Sequence, residues 1–152
     1  MHSFFIRSNF ADWPRSLYRL AYTSVASKPL SKADLKQILS TSVLRNQADN
    51  ITGALCFSRD AFVQVLEGAR YNLSIAFQRI VADTRHKEVE LIGLEPVRVR
   101  AFGNWSMAFI DDSTEVREII LNHCGADRLV TDALDLSSVT GLVREMLGKP
   151  RD

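Results

Sequence analysis

The chain has 152 residues, 46% of them hydrophobic, with 7 glycines and 4 prolines. That balance fits one compact domain able to bury a real core, with room for a small appendage, and it excludes disordered and fibrous classes. Lysine and arginine together number 19 against 18 aspartates and glutamates, a formal charge of +1, so no global field draws the chain to nucleic acid or to an anionic membrane.

The start, "MHSFFIRSNFADWPRS", has two phenylalanines and an early arginine but no continuous apolar stretch. No run of about 18 apolar residues occurs anywhere. Residues 1–15 read as an N-terminal arm on a soluble protein. Cys56 and Cys124 lack the paired spacings of a zinc or redox motif. The expectation is therefore a reducing, cytoplasmic setting and no metal.

Next, "SLYRLAYTS" (16–24) is rich in aromatic and aliphatic residues and gives way to the polar "TSVASKPLS", a strand followed by a loop. Ser31 with Asp34 three residues on resembles a capping box, and Leu35, Ile38, Leu39 and Ser42 follow at helical spacing. "ITGALCFS" and "AFVQVLE" across Arg59 and Asp60 predict a hairpin. "RYNLSIAFQRIVADTRH" carries a second helical stripe, with Asp83 and His86 near its end. "KEVELIGLEPVRVRAF" is extended and interrupted by Pro96, and "NWSMAFI" supplies a last short strand. "STEVREIILNHCG" and "DLSSVTGLVREMLGK" are amphipathic helices.

This order matches an α+β, ferredoxin-like β-α-β-β-α-β pattern with one strand added and two helices on one face. The central strands are apolar on both faces, so the second face needs a cover. The two C-terminal helices, within 111–152, are the candidates for that cover or for a subunit interface.

Gln64 is out of place in "AFVQVLEG". A buried carboxamide without partners costs about 1 to 3 kcal/mol, so something must hydrogen-bond it. Strand alternation puts Gln64 on one face with Phe62 and Leu66, where Tyr22 of the first strand can neighbour it. Asn46 adds a second uncharged amide near the same end of the sheet, and Ile38 and Ile80 can wall the site. Such a set suits a flat, neutral heteroaromatic ligand whose edge carries donors and acceptors. The same residues can also simply satisfy one another within a core.

The strings "LYRLAYTS", "ITGALCFS", "AFVQVLEG", "RIVADTRH" and "FGNWSM", in this order from Leu17 to Ile110, resemble the BLUF family of flavin-binding blue-light sensors. The resemblance implies a BLUF domain over 16–110 and a helical extension over 111–152. It also implies a non-covalent flavin, usually FAD, with FMN as the alternative. By that resemblance Tyr22 and Gln64 carry the photochemistry: Tyr22 gives an electron and then a proton, and Gln64 rotates or tautomerises, leaving a red-shifted state. Asn46 matches the residue that bonds the uracil-like edge of the ring, Ile38 and Ile80 those that sandwich it, and Arg79 and Asp83 a polar pair near the ring edge and ribityl side. Arg45 departs from the Asn or His found in many members; it lines the ring, reaches the phosphates or points to solvent. Trp105 and Met107, two apart on the last strand, match the pair that exchanges near the Gln, and Ser24 is a candidate relay. His86 and His123 read as helix-end or surface residues.

The implied protein is not an enzyme; it acts through a downstream signalling protein of unknown identity, in an oligomer of its own kind. Two rivals share the fold. An acylphosphatase-type hydrolase would need a glycine-rich loop after the first strand, and "TSVASKPLS" has no glycine. The other is a regulatory or assembly module that binds a small ligand without photochemistry.

Overall fold

The structure is a computed structural model that describes residues 16–148. The expected N-terminal arm lies outside the described residues. Nine elements follow in the order β1 (Leu17–Ala26), α1 (Lys32–Ala48), β2 (Thr52–Ser58), β3 (Ala61–Ala69), α2 (Arg70–Ala82), β4 (His86–Val97), β5 (Ala108–Ile110), α3 (Thr114–Cys124) and α4 (Leu136–Leu147). The sheet order is β4-β1-β3-β2-β5, with β5 parallel to β2 and every other pair antiparallel.

Local chemistry explains the element ends. Ser31 Oγ accepts from the Asp34 amide while the Asp34 carboxylate accepts from the Ser31 amide, the reciprocal capping box that starts α1. Arg59 and Asp60 both take positive φ, 48° and 66°, as a two-residue hairpin turn requires, and Ser58 pairs with Ala61 across it. Pro96 is accommodated because β4 is an edge strand paired only with β1. Ser113 and Asp135 cap α3 and α4, and Gly125 closes α3 in the left-handed region.

The alternation of β1 and β3 divides the core in two. Leu20, Tyr22, Phe62 and Leu66 meet α1 and α2 on one face, with Leu73 fully buried among them. Ala21, Val63 and Val65 pack on the other face against Val116 and Ile120 of α3 and Val139 and Val143 of α4. The apolar second face is thus covered within the chain by the C-terminal helices. Among the described residues no helix is long and apolar enough to cross a membrane.

Two register shifts between β1 and β4 fall beside the future site, one between Ala21 and Tyr22 and one between Thr23 and Val25. Glu88 absorbs the second with φ 54°. Bulges of this kind bend the strand and re-aim neighbouring side chains. Here they flank Tyr22 and Ser24.

The β4 to β5 connection differs from the sequence expectation. The strand stops at Val97, and 98–107 is an irregular segment, so Trp105 and Met107 precede β5 instead of sharing a face of it. The reason lies in Arg100, Ala101 and Phe102, whose polar groups bond to Asn50, Thr52 of β2 and Glu67 of β3 and leave no ladder to continue.

Candidate functional site

A cleft opens between α1, α2 and the sheet, with about 770 Å³ of atom-free space that is continuous with solvent. The floor comes from β1, β2 and β3, and the walls from the facing sides of the two helices. All eight residues expected to hold a ligand line this one cleft: Tyr22, Ile38, Arg45, Asn46, Gln64, Arg79, Ile80 and Asp83.

The amide of Gln64 has its partners. Tyr22 and Gln64 stand opposite each other in the β1/β3 register, and the Tyr22 hydroxyl donates to Gln64 Oε1. Gln64 Nε2 donates to Met107 Sδ at 3.4 Å. Both side chains are buried, each 4% exposed. A thioether sulfur only accepts, so it favours the NH2 end of the amide, and this leaves Oε1 for the phenol. Burial, followed by the nearby Asp83 carboxylate, pushes the Tyr22 phenol well above its ordinary value, so it holds its proton.

Asn46, in the last turn of α1, donates from Nδ2 to the Ser106 carbonyl at 2.7 Å and is also buried. Both amides therefore bond the 98–107 segment as well as line the cleft. Ile38 and Ile80 provide apolar walls from the two helices. Arg79 and Asp83 do not bond each other: Arg79 pairs with Asp49 at 3.0 Å and Asp83 takes a bidentate bond from Arg85. The Arg85 hydrogen bonds hold the Asp83 carboxyl below its usual range, against an opposing push from burial. Arg45 lines the cleft and forms no ion pair among the described residues.

The remaining expectations divide. Met107 is buried against Gln64, whereas Trp105 is 39% exposed and does not line the cleft. Ser24 Oγ lies 2.8 Å from His86 Nδ1.

His86 corrects the sequence reading. It opens β4, lines the cleft and sets its ring edge-on to Tyr22 at 6.2 Å. Its Nε2 lies 2.5 Å from the Ile80 carbonyl, which can only accept, so Nε2 donates there while Nδ1 faces the Ser24 hydroxyl. Thr41, Ser42 and Arg85 also line the cleft without having been singled out as ligand-binding. The string "RIVADTRH" contained both Arg85 and His86, but neither spacing nor periodicity set them apart. Among the described residues no group of three or more His, Cys, Asp or Glu is arranged to hold a metal.

A floor of two buried amides and a phenol, apolar helix walls and guanidinium groups at the rim accept a flat, largely uncharged heteroaromatic system with an anionic tail. Fold and cleft together define a ferredoxin-like ligand-binding domain, and the donor set fits a flavin. The family described as BLUF, "Sensors of blue-light using FAD", matches residues 17–108. The photoactivated adenylate cyclase subunit alpha of Euglena gracilis is 35% identical over 100 residues, which are 66% of this chain and 10% of that protein. The chain thus spans about a tenth of the length of the curated relatives it matches. Among solved structures, the photo-activated state of BlsA aligns with a TM-score of 0.78 at 25% identity, covering 90% of this chain and 98% of that one. The dark-state structure of BlrB, a BLUF protein, aligns with a TM-score of 0.72 at 30% identity, covering 86% and 97%. The chain belongs to the BLUF family.

Proposed function

We propose that this chain is a blue-light photoreceptor that holds an oxidised flavin non-covalently in the cleft between α1, α2 and the sheet. The observation that carries the reading is the buried chain from Tyr22 through Gln64 to Met107 along the floor of that cleft. Ile38 and Ile80 clamp the ring faces, and Asn46 bonds the uracil-like edge. Arg45, Arg79 and Asp83 hold the ring edge and the ribityl and phosphate side. The flavin is FAD, in keeping with the family description, with FMN as the variant that loading must test.

When bound, the flavin supplies light absorption and an excited ring with high electron affinity. Tyr22 is the electron donor. Its phenol does not ionise beforehand, because burial disfavours the phenolate, so the electron leaves a neutral phenol and the proton follows it. The O–H bond to Gln64 Oε1 gives that proton its path. Phe could supply neither. The electron and the proton then return to Tyr22 and leave Gln64 rotated or tautomerised, which a carboxamide can do because its two ends are a donor and an acceptor. Rotation turns Oε1 toward Met107 Sδ, two acceptors facing each other, and Met107 must move.

Met107 immediately precedes β5, and Ile110 at the end of β5 belongs to the core shared with α3 and α4. A shift of Met107 thereby reaches the helices on the far face of the sheet. We read 16–110 as the sensing domain and 111–152 as the relay to a downstream partner protein, in a cytoplasmic homo-oligomer with no enzymatic turnover of its own. Trp105 and Ser24 are the accessory relay residues. Some relatives are named photoactivated adenylate cyclases.

An absorption spectrum of the purified protein in the dark, repeated after blue illumination and during recovery, tests the reading. Flavin bands that shift reversibly to the red support it. Unshifted bands, or no flavin after reconstitution with FAD or FMN, overturn it in favour of a small-ligand module without photochemistry.

A further inference from the structure

Glu67 is a carboxylate with 0% exposure, three residues beyond Gln64 on β3 and pointing to the opposite face. Nothing in the proposed photochemistry uses it. An isolated buried carboxylate is costly, so its partners show what it is for. Oε2 accepts from Arg19 Nε at 2.9 Å and from the Ala101 amide at 2.7 Å, and Oε1 accepts from the Phe102 amide at 2.8 Å. One cation and two backbone N–H groups thus satisfy both oxygens, and both amides belong to the irregular segment 98–107.

That segment carries the residues next to Gln64, and its two ends are held differently. At the near end, Arg19 also donates to the Val99 carbonyl, and Arg100 donates to the Glu67 carbonyl, to Thr52 Oγ1 and to the Asn50 carbonyl. Phe102 is fully buried in the core formed with α3 and α4. At the far end the bonds are neutral: the Gly53 amide to the Trp105 carbonyl, Asn46 Nδ2 to the Ser106 carbonyl, and Gln64 Nε2 to Met107 Sδ. Hydrogen bonds to a charged, buried group are roughly twice as strong as neutral ones. The near end therefore stays fixed under a perturbation that the far end yields to.

We propose that Glu67 is a positioning residue: the anchor of the output segment, which confines the displacement started at Gln64 to residues beyond Phe102 and so directs it into Met107 and β5. The light-driven part of this inference rests on the photoreceptor reading above; the anchoring itself does not. Movement of Met107 without the anchor would dissipate along the whole segment, and β5 would receive less of it. With the anchor, Phe102 remains a fixed point in the α3/α4 core while β5 moves relative to it.

The test is amide hydrogen exchange on the full flavin-loaded chain, wild type against Glu67→Gln, in the dark and under blue light. A Gln at 67 can accept from only one of the two amides and turns an NH2 toward the other. In the dark, the one of the Ala101 and Phe102 amides that faces the NH2 should exchange about tenfold or more faster in Glu67→Gln, with β2 and β3 amides unchanged. Under light, the wild type should change at residues 105–108 and keep 101 and 102 protected, whereas in Glu67→Gln the change should run back through 101 and 102. The size of the red shift should be the same in both, since Tyr22 and Gln64 are untouched. Equal dark protection of Ala101 and Phe102 in the two proteins overturns the anchor. So does light-driven release of 101 and 102 in the wild type. If the wild type shows no red shift, the photoreceptor reading fails and the dark comparison alone still decides the anchor. Should Glu67→Gln not fold, Glu67→Asp keeps the charge but withdraws the carboxylate from the Ala101 and Phe102 amides; the same loosening at 101 and 102 is expected, and unchanged protection refutes the anchor.

Discussion

Replacing Tyr22 by Phe removes one hydroxyl from a buried pair, and the stability cost should depend on pH in a way set by this structure. Gln64 Oε1 loses its donor in a site where both residues are 4% exposed. An acceptor orphaned in this way costs about 1 to 3 kcal/mol at neutral pH. The wild-type phenol, however, has a folded pKa above its unfolded value of 10.0, from burial first and Asp83 second. A group raised on folding contributes stability that is complete below the unfolded pKa and is lost as pH climbs toward the folded one. Wild-type stability should therefore fall by about 1.4 kcal/mol per pH unit above pH 10 from this residue alone. Tyr22→Phe lacks that loss. The gap between the two proteins, about 1 to 3 kcal/mol at pH 7, should shrink by about 2 kcal/mol by pH 11.5. Urea unfolding of both chains at matched flavin loading from pH 7 to 11.5 measures it, and Tyr18 and Tyr71 cancel because both proteins have them. A gap that does not change with pH would refute the argument that burial holds the phenol neutral.

Met107→Leu keeps nearly the same volume but deletes the sulfur that accepts from Gln64 Nε2. Stability should change by less than about 1.5 kcal/mol and flavin should remain bound, while dark recovery of the red-shifted state changes rate; an unaltered recovery trace in flash spectroscopy would remove Met107 from the relay. Asp83 is bonded by Arg85 and its carboxyl is held below the usual 3.8, so its contribution is present above that value and is lost as pH falls through the folded pKa. Asp83→Asn should therefore flatten the decline in stability below about pH 4, as seen by acid unfolding followed by circular dichroism, and an identical decline in both proteins would contradict it.

Much of this was legible in the sequence for local reasons. The Ser31 and Asp34 box, the Arg59 and Asp60 turn and the alternation of "AFVQVLEG" are short-range signals, and they fix α1, the hairpin and the shared face of Tyr22 and Gln64. Once the strand order was right, all eight expected ligand-binding residues converged on one cleft. What was missed depends on partners far along the chain. No local signal marks Glu67, since its amide donors lie 34 and 35 residues away in a segment with no periodicity. His86 looked like a helix end because "DTRH" continues a helical stripe, yet α2 stops at Ala82 and the ring is turned onto Tyr22 and the Ile80 carbonyl. Trp105 and Met107 were expected on one strand face; the bonds of residues 100–102 end the extended run before them, which separates a buried Met107 from a half-exposed Trp105.

The central claim is that light acts on the Tyr22 to Gln64 bond. Blue-light difference spectra of the wild type and Tyr22→Phe, both loaded with FAD, address it most directly. The account predicts a reversible red shift of the flavin bands in the wild type and bound but unshifted flavin in Tyr22→Phe. A normal red shift and recovery in Tyr22→Phe would contradict it.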